Sequence, residues 1–77
     1  MQWLNAKTNI PDIEHETVLL MDYDQNPYIG CYDSAFESWS YFIEGGRTFF
    51  EKSLVDSGRL IWLENSWEGI NEAFDIN

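Results

Sequence analysis

Cys31 is the only cysteine in a chain of 77 residues. No internal disulfide can brace it and no cysteine-built zinc site can form. At this length there is room for one domain, residues 1–77, near the lower limit of what a single hydrophobic core can hold together. The core material is aromatic: four Trp, four Tyr and five Phe, each ring able to bury roughly 150–250 Å². A lone thiol fits a reducing compartment. The start of the chain has no long apolar run after Lys7, and the longest apolar stretches fall far short of the ~20 residues that cross a bilayer. The expectation is a soluble, cytoplasmic protein.

The apolar residues come in short blocks separated by turn-formers. Residues 1–12 mix Trp3, Leu4 and Ile10 with polar residues up to Pro11, which reads as an extended lead-in that tucks Trp3 onto the domain. Thr17-Val18-Leu19-Leu20-Met21 is too short for a helix and β-branched at its start, so it is expected to be a central strand. Asp24-Gln25-Asn26-Pro27 is turn chemistry. Tyr28-Ile29-Gly30-Cys31-Tyr32 follows as the hairpin partner, with both tyrosines on one face. Trp39–Ile43 is expected to be a third strand, ended by Gly45-Gly46, and Arg59–Leu63 a fourth. Residues 47–57 read either as strand, through Thr48-Phe49-Phe50, or as helix, through Phe50, Leu54 and Val55.

Beyond residue 64 the period changes. Ser66 is a good N-cap, and Trp67, Ile70 and Phe74 recur at helical spacing, so residues 64–77 are expected to form a short C-terminal helix or a loosely helical tail. The fold class is therefore α+β, mainly β: a small antiparallel sheet of about four strands with a short C-terminal helix.

Charge supplies the functional constraint. Asp and Glu number 14 against four Lys and Arg, a formal net charge of -10. An acidic disordered tail would lack the rings, so this is a compact domain with a strongly negative coat. Such a coat repels nucleic acid and anionic membrane and attracts basic surfaces. The four basic residues are scattered with no aromatic-interleaved patch, so direct binding to DNA or RNA is the first class to discard.

The spaced anchors resemble domain-of-unknown-function family 551, small proteins common in phages and prophages. The resemblance is carried by Trp3 and Pro11, the strand Val18-Leu19-Leu20, the Y-x-G-x-Y segment from Tyr28 to Tyr32, and the later Trp39 and Trp62. It covers roughly four fifths of the chain. Family members follow the late Trp with a proline-rich ending, whereas Leu63-Glu64-Asn65-Ser66-Trp67 contains no proline. The resemblance implies a small β-rich fold and a mobile-element origin, and it assigns no activity.

Four motifs that look chemical have plainer readings. Asp22-x-Asp24-x-Asn26 with Asp33 imitates a calcium loop, but Pro27 stands where that loop needs Gly, so a polar hairpin turn is expected. His15 lies between Glu14 and Glu16, near Asp12; neighbours at i±1 point apart on an extended chain, so these side chains are not expected to converge on a metal or a base site. Cys31 sits in an apolar strand with no adjacent basic residue to activate it and reads as a small buried hydrophobe. Gly45-Gly46-Arg47-Thr48 lacks a phosphate-loop pattern and reads as a turn. No catalytic residue, metal or cofactor is expected.

The acidic residues are the candidates for partner binding. On a helix, Glu64, Glu68, Glu72 and Asp75 would form a row at about 6 Å of rise per step, an imitation of part of a phosphate track. Asp12, Glu14 and Glu16, with Asp22 and Asp24 at the hairpin tip, would extend that surface. The expected function is a phage or prophage accessory protein whose acidic face blocks a basic, nucleic-acid-binding surface of a host defence protein, such as a CRISPR effector or a restriction enzyme. The alternative is a small phage structural or regulatory interaction module, monomeric or homodimeric, whose acidity only maintains solubility.

Overall fold

In the computed structural model, which describes residues 2–66, the chain is mainly β with one short helix. The strands are β1 (Trp3–Asn5), β2 (Val18–Met21), β3 (Pro27–Asp33), β4 (Ser38–Ile43), β5 (Gly46–Phe49) and β6 (Ile61–Leu63), and the helix is α1 (Lys52–Asp56) between β5 and β6. They form one sheet of six strands in the order β1-β6-β2-β3-β4-β5, with every neighbouring pair antiparallel. The four strands from β2 to β5 are a meander. The chain then returns through α1 to lay β6 beside β2, and β1 closes that flank.

The register explains which residues are inside. Val18 faces Gly30, Leu20 faces both Tyr28 and Trp62, and Tyr32 faces Trp39, so a single face carries the large side chains. Alternation along each strand then sends Leu19, Ile29 and Ser40 to the other side. On the packed face Val18, Leu20, Trp39, Trp62, Leu60, Phe50 and Ala6 form the core, with Tyr28, Tyr32, Tyr41, Leu54 and Val55 packed around it. Each large side chain buried in this way stabilises the fold by roughly 1.5–3 kcal/mol. The rings meet mostly at tilted or edge geometry: Tyr41 and Phe50 at 4.5 Å between centroids, Tyr28 and Phe50 at 4.9 Å, Tyr32 and Trp39 at 5.3 Å. The two buried indoles also tie the first residues to the core. Trp39 Nε1 donates to the Ala6 carbonyl at 3.0 Å and Trp62 Nε1 to the Asn9 carbonyl at 3.0 Å.

The turns follow their residues. Gly45, at φ 86°, supplies the positive φ that a type II turn needs at its third position, and this turn joins β4 to β5. Gly45-Gly46 does follow the end of β4, but of the four residues read as a turn Gly46, Arg47 and Thr48 belong to β5. Helix α1 ends at Gly58, φ 76°, whose N–H donates to the Val55 carbonyl at 3.0 Å.

Several expectations are corrected. The sheet has six strands where four were expected, because β1 and β5 are only three and four residues long. The lead-in is extended over Trp3–Asn5, which join the sheet as β1, but Trp3 is not tucked in: Leu4 pairs with Trp62 and turns inward, which leaves Trp3 on the opposite face and 38% exposed. The ambiguous stretch 47–57 contains both alternatives in succession, strand to Phe49 and helix from Lys52. The helix seen is therefore internal. The C-terminal helix expected over 64–77 does not begin at Glu64: residues 64 and 65 are a turn, with Asn65 at φ 61°, so Glu64 is not part of a helical acidic row, while Trp67, Ile70 and Phe74 lie outside the described residues. Ser66, its proposed cap, is buried, and its hydroxyl accepts the Leu19 N–H at 2.8 Å.

Candidate protein-binding cleft

After β1 the chain is turned by Asn5. Its carbonyl accepts the N–H groups of Thr8 and Asn9 at 3.3 and 2.9 Å, its side-chain oxygen accepts the Lys7 N–H at 2.8 Å, and its amide donates to the Gly58 carbonyl at 3.1 Å. Asn9 is then fixed by the Trp62 indole. Residues 10–16 are thus laid over the β1–β6 flank, and a cleft of about 370 Å³ opens between them and the end of β6. Leu4, Ile10, Pro11, Ile13 and Trp62 supply its apolar surface, and Asp12, Glu16 and Glu64 its carboxylates. Asp12 is exposed, while Glu16 and Glu64 are half-buried.

Three of the nine acidic candidates therefore meet in one concavity, although Asp12 and Glu64 are far apart in sequence. Among the described residues no Lys or Arg lines the cleft. Arg47 instead pairs with Asp33 at 3.3 Å, Lys52 with Asp56 at 3.8 Å, and the Arg59 guanidinium lies 4.8 Å from the Tyr23 ring centroid. Lys7, the fourth basic residue, is exposed in the turn after β1 and does not line the cleft either.

Glu14 belongs to a different cluster, and here an expectation fails. His15 Nε2 lies 3.4 Å from Glu14 Oε1 and 3.7 Å from Asp33 Oδ2, so neighbouring side chains do converge. The cause is backbone: His15 has φ 60°, in the left-handed region, and the chain at this point is not extended. The same Glu14 oxygen accepts the Ser34 hydroxyl at 2.7 Å and the Ser34 N–H at 3.1 Å. These two bonds, the hydroxyl first, hold the Glu14 carboxyl below the usual glutamate range. Asp33 is buried and accepts from Ala35 N–H at 3.0 Å and Arg47 Nη2 at 3.3 Å. The donor atoms of Glu14, His15 and Asp33 all lie within 4.8 Å of one another, a spacing open to a cation, but the two carboxylates are already engaged by Ser34 and Arg47. The arrangement is a polar latch that fastens the 12–17 loop to the end of β3.

Asp22 is also occupied. Its carboxylate accepts the N–H groups of Asp24 and Asn26, each at 3.0 Å, the Asn26 side-chain amide at 3.1 Å and the Tyr28 hydroxyl at 3.0 Å. Partial burial pushes its pKa up, but the bonds from Asn26, Tyr28 and Asp24 outweigh that and leave it below the usual aspartate range. The hydrogen bond to Asp22 raises the Tyr28 phenol in turn. This is the polar hairpin turn expected in place of a calcium loop. Of the hairpin pair only Asp24 stands free at the tip, exposed. Glu68, Glu72 and Asp75 lie outside the described residues.

Two features escaped the sequence. The Arg47 guanidinium reaches Cys31 Sγ at 3.8 Å, so the buried thiol does have a cationic neighbour, supplied from two strands away. On the sheet flank opposite the cleft, Phe36 (66% exposed), Phe42 (50%) and Phe49 (43%) lie open to solvent, and the Phe36 and Phe49 rings are in edge contact at 5.6 Å.

No family model, curated protein or solved structure matches the chain. The resemblance to domain-of-unknown-function family 551 is supported by none of these comparisons.

Proposed function

We propose that this chain is an acidic binding module that docks on a basic, nucleic-acid-binding surface of another protein and keeps nucleic acid from it. The observation that carries this reading is the convergence of Asp12, Glu16 and Glu64 on one cleft that no described basic residue lines, in a chain of net charge -10. Carboxylates on such a surface take the Lys and Arg positions that phosphates would fill. The likeness to a phage and prophage family directs the proposal to host defence proteins of the cytoplasm, a CRISPR effector or a restriction enzyme. Inhibition is steric and electrostatic, with no covalent step and no cofactor.

Immobilised full-length protein, exposed to host-cell lysate at low salt, tests this. Nucleic-acid-binding proteins should be retained and released by about 0.3–0.5 M salt, where the Debye length falls to a few ångströms. Retention of proteins without nucleic-acid-binding surfaces, or retention indifferent to salt, contradicts it.

A second reading has its own observation. Phe36, Phe42 and Phe49 form an exposed aromatic patch beside the edge strand β5, and open edges and apolar patches serve association with a second copy. Light scattering decides it: a dimer that Phe36→Ser with Phe49→Ser converts to monomer favours this reading, and a monomer at all concentrations removes it.

A further inference from the structure

We propose that the Asp12–Glu16–Glu64 cleft is a socket for an arginine side chain of the protein partner; this deepens the reading above and rests on its claim that the partner is basic. At about 370 Å³ the cleft is at the small end of the ~300–1,000 Å³ range of ligand sites, a size suited to one long side chain. Its lining combines the two kinds of surface that a guanidinium side chain requires. Leu4, Ile10, Pro11 and Ile13 offer apolar area to a methylene stem, and three carboxylates offer acceptors to the head group. The Trp62 N–H is already spent on the Asn9 carbonyl, so the indole presents no free donor to oppose a cation.

Arginine fits better than lysine on physical grounds. A guanidinium is planar, weakly hydrated, and able to lie against apolar and aromatic surface while pairing with carboxylates in a fork. An ammonium is a strongly hydrated point charge and would lose more on entering a cleft lined in part by apolar side chains. Other occupants are disfavoured by charge. Residues 67–77 of this chain contain Glu68, Glu72 and Asp75 and no Lys or Arg. A second copy brings another net charge of -10.

The test is a ¹H–¹⁵N titration of the full chain with three capped pentapeptides that place arginine, lysine or citrulline between glycine pairs. Citrulline keeps the arginine shape without the charge. Arginine should shift the Trp62 indole resonance and the amides of residues 9–16 and 64–65, with lysine binding more weakly and citrulline scarcely at all. Asp12→Asn, Glu16→Gln and Glu64→Gln together should weaken arginine binding by about tenfold or more. The control set Glu37→Gln, Glu44→Gln and Glu51→Gln removes the same charge from exposed positions elsewhere and should leave binding within about twofold. The far-ultraviolet spectrum of each variant checks that it is folded. Equal shifts from citrulline, equal binding of lysine, equal losses in the two variant sets, or shifts scattered over the surface would each overturn the socket. A failed socket in a protein that still binds a nucleic-acid-binding partner leaves the broader reading intact. A working socket in a protein that binds no such partner removes the broader reading and keeps the socket.

Discussion

Gly30 lies where β3 passes closest to β4, and a Cβ there would fall 1.9 Å from the Ser40 carbonyl oxygen. The obstacle is backbone, so it cannot rotate aside, and Gly30→Ala must push the central strands apart. Overpacking of this kind costs about 2–3 kcal/mol. A lower urea midpoint at unchanged slope should report it; an unchanged midpoint would mean that the strands are not so closely apposed. Glu14 makes a prediction about pH. Its carboxyl is held below the usual glutamate range by the Ser34 hydroxyl and then the Ser34 N–H. A group with a depressed folded-state pKa stabilises the fold above its unfolded pKa and loses that contribution as pH falls through the folded value. The latch should therefore weaken on acidification, and Asp22, depressed by its hairpin bonds, acts in the same direction. Thermal midpoints measured from neutral pH down through the carboxylate range should fall less steeply for Glu14→Gln than for the native chain. Parallel curves would show that the Ser34 contact is not made in solution.

Strands β2 and β3 were legible because a consecutive apolar block, a turn of Asp, Asn and Pro, and an alternating Tyr-x-Gly-x-Tyr segment all point to one hairpin. β1 and β5 were not. Three or four residues are too few to display a period of two, and both strands are made by pairing with a neighbour that the sequence does not identify. The site divides along the same line. The individual acidic residues could be read off the chain. That Asp12 and Glu16 would meet Glu64 could not, because it depends on β6 returning to lie between β1 and β2. Likewise the convergence of Glu14 and His15 depends on one positive φ that no residue type announces. Ser66 illustrates a contact between elements. Its buried hydroxyl accepts the Leu19 N–H of β2, so Ser66→Ala leaves that N–H without its acceptor at a cost of about 1–2 kcal/mol. Loss of hydrogen-exchange protection at the Leu19 amide should accompany the lower stability; full protection there would refute the contact.

At the scale of the whole molecule the account rests on the net charge of -10 and on one cleft of the β1–β6 flank that three carboxylates line. Binding through such a surface depends on salt mainly through the rate of encounter. Competition is the direct measure of the central claim. The affinity of the full chain for a partner taken from the lysate is titrated in the presence of increasing duplex DNA. Mutual exclusion is predicted, with apparent affinity falling in proportion to the DNA that the partner binds. A ternary complex, in which partner, DNA and this protein assemble together at undiminished affinity, would contradict it.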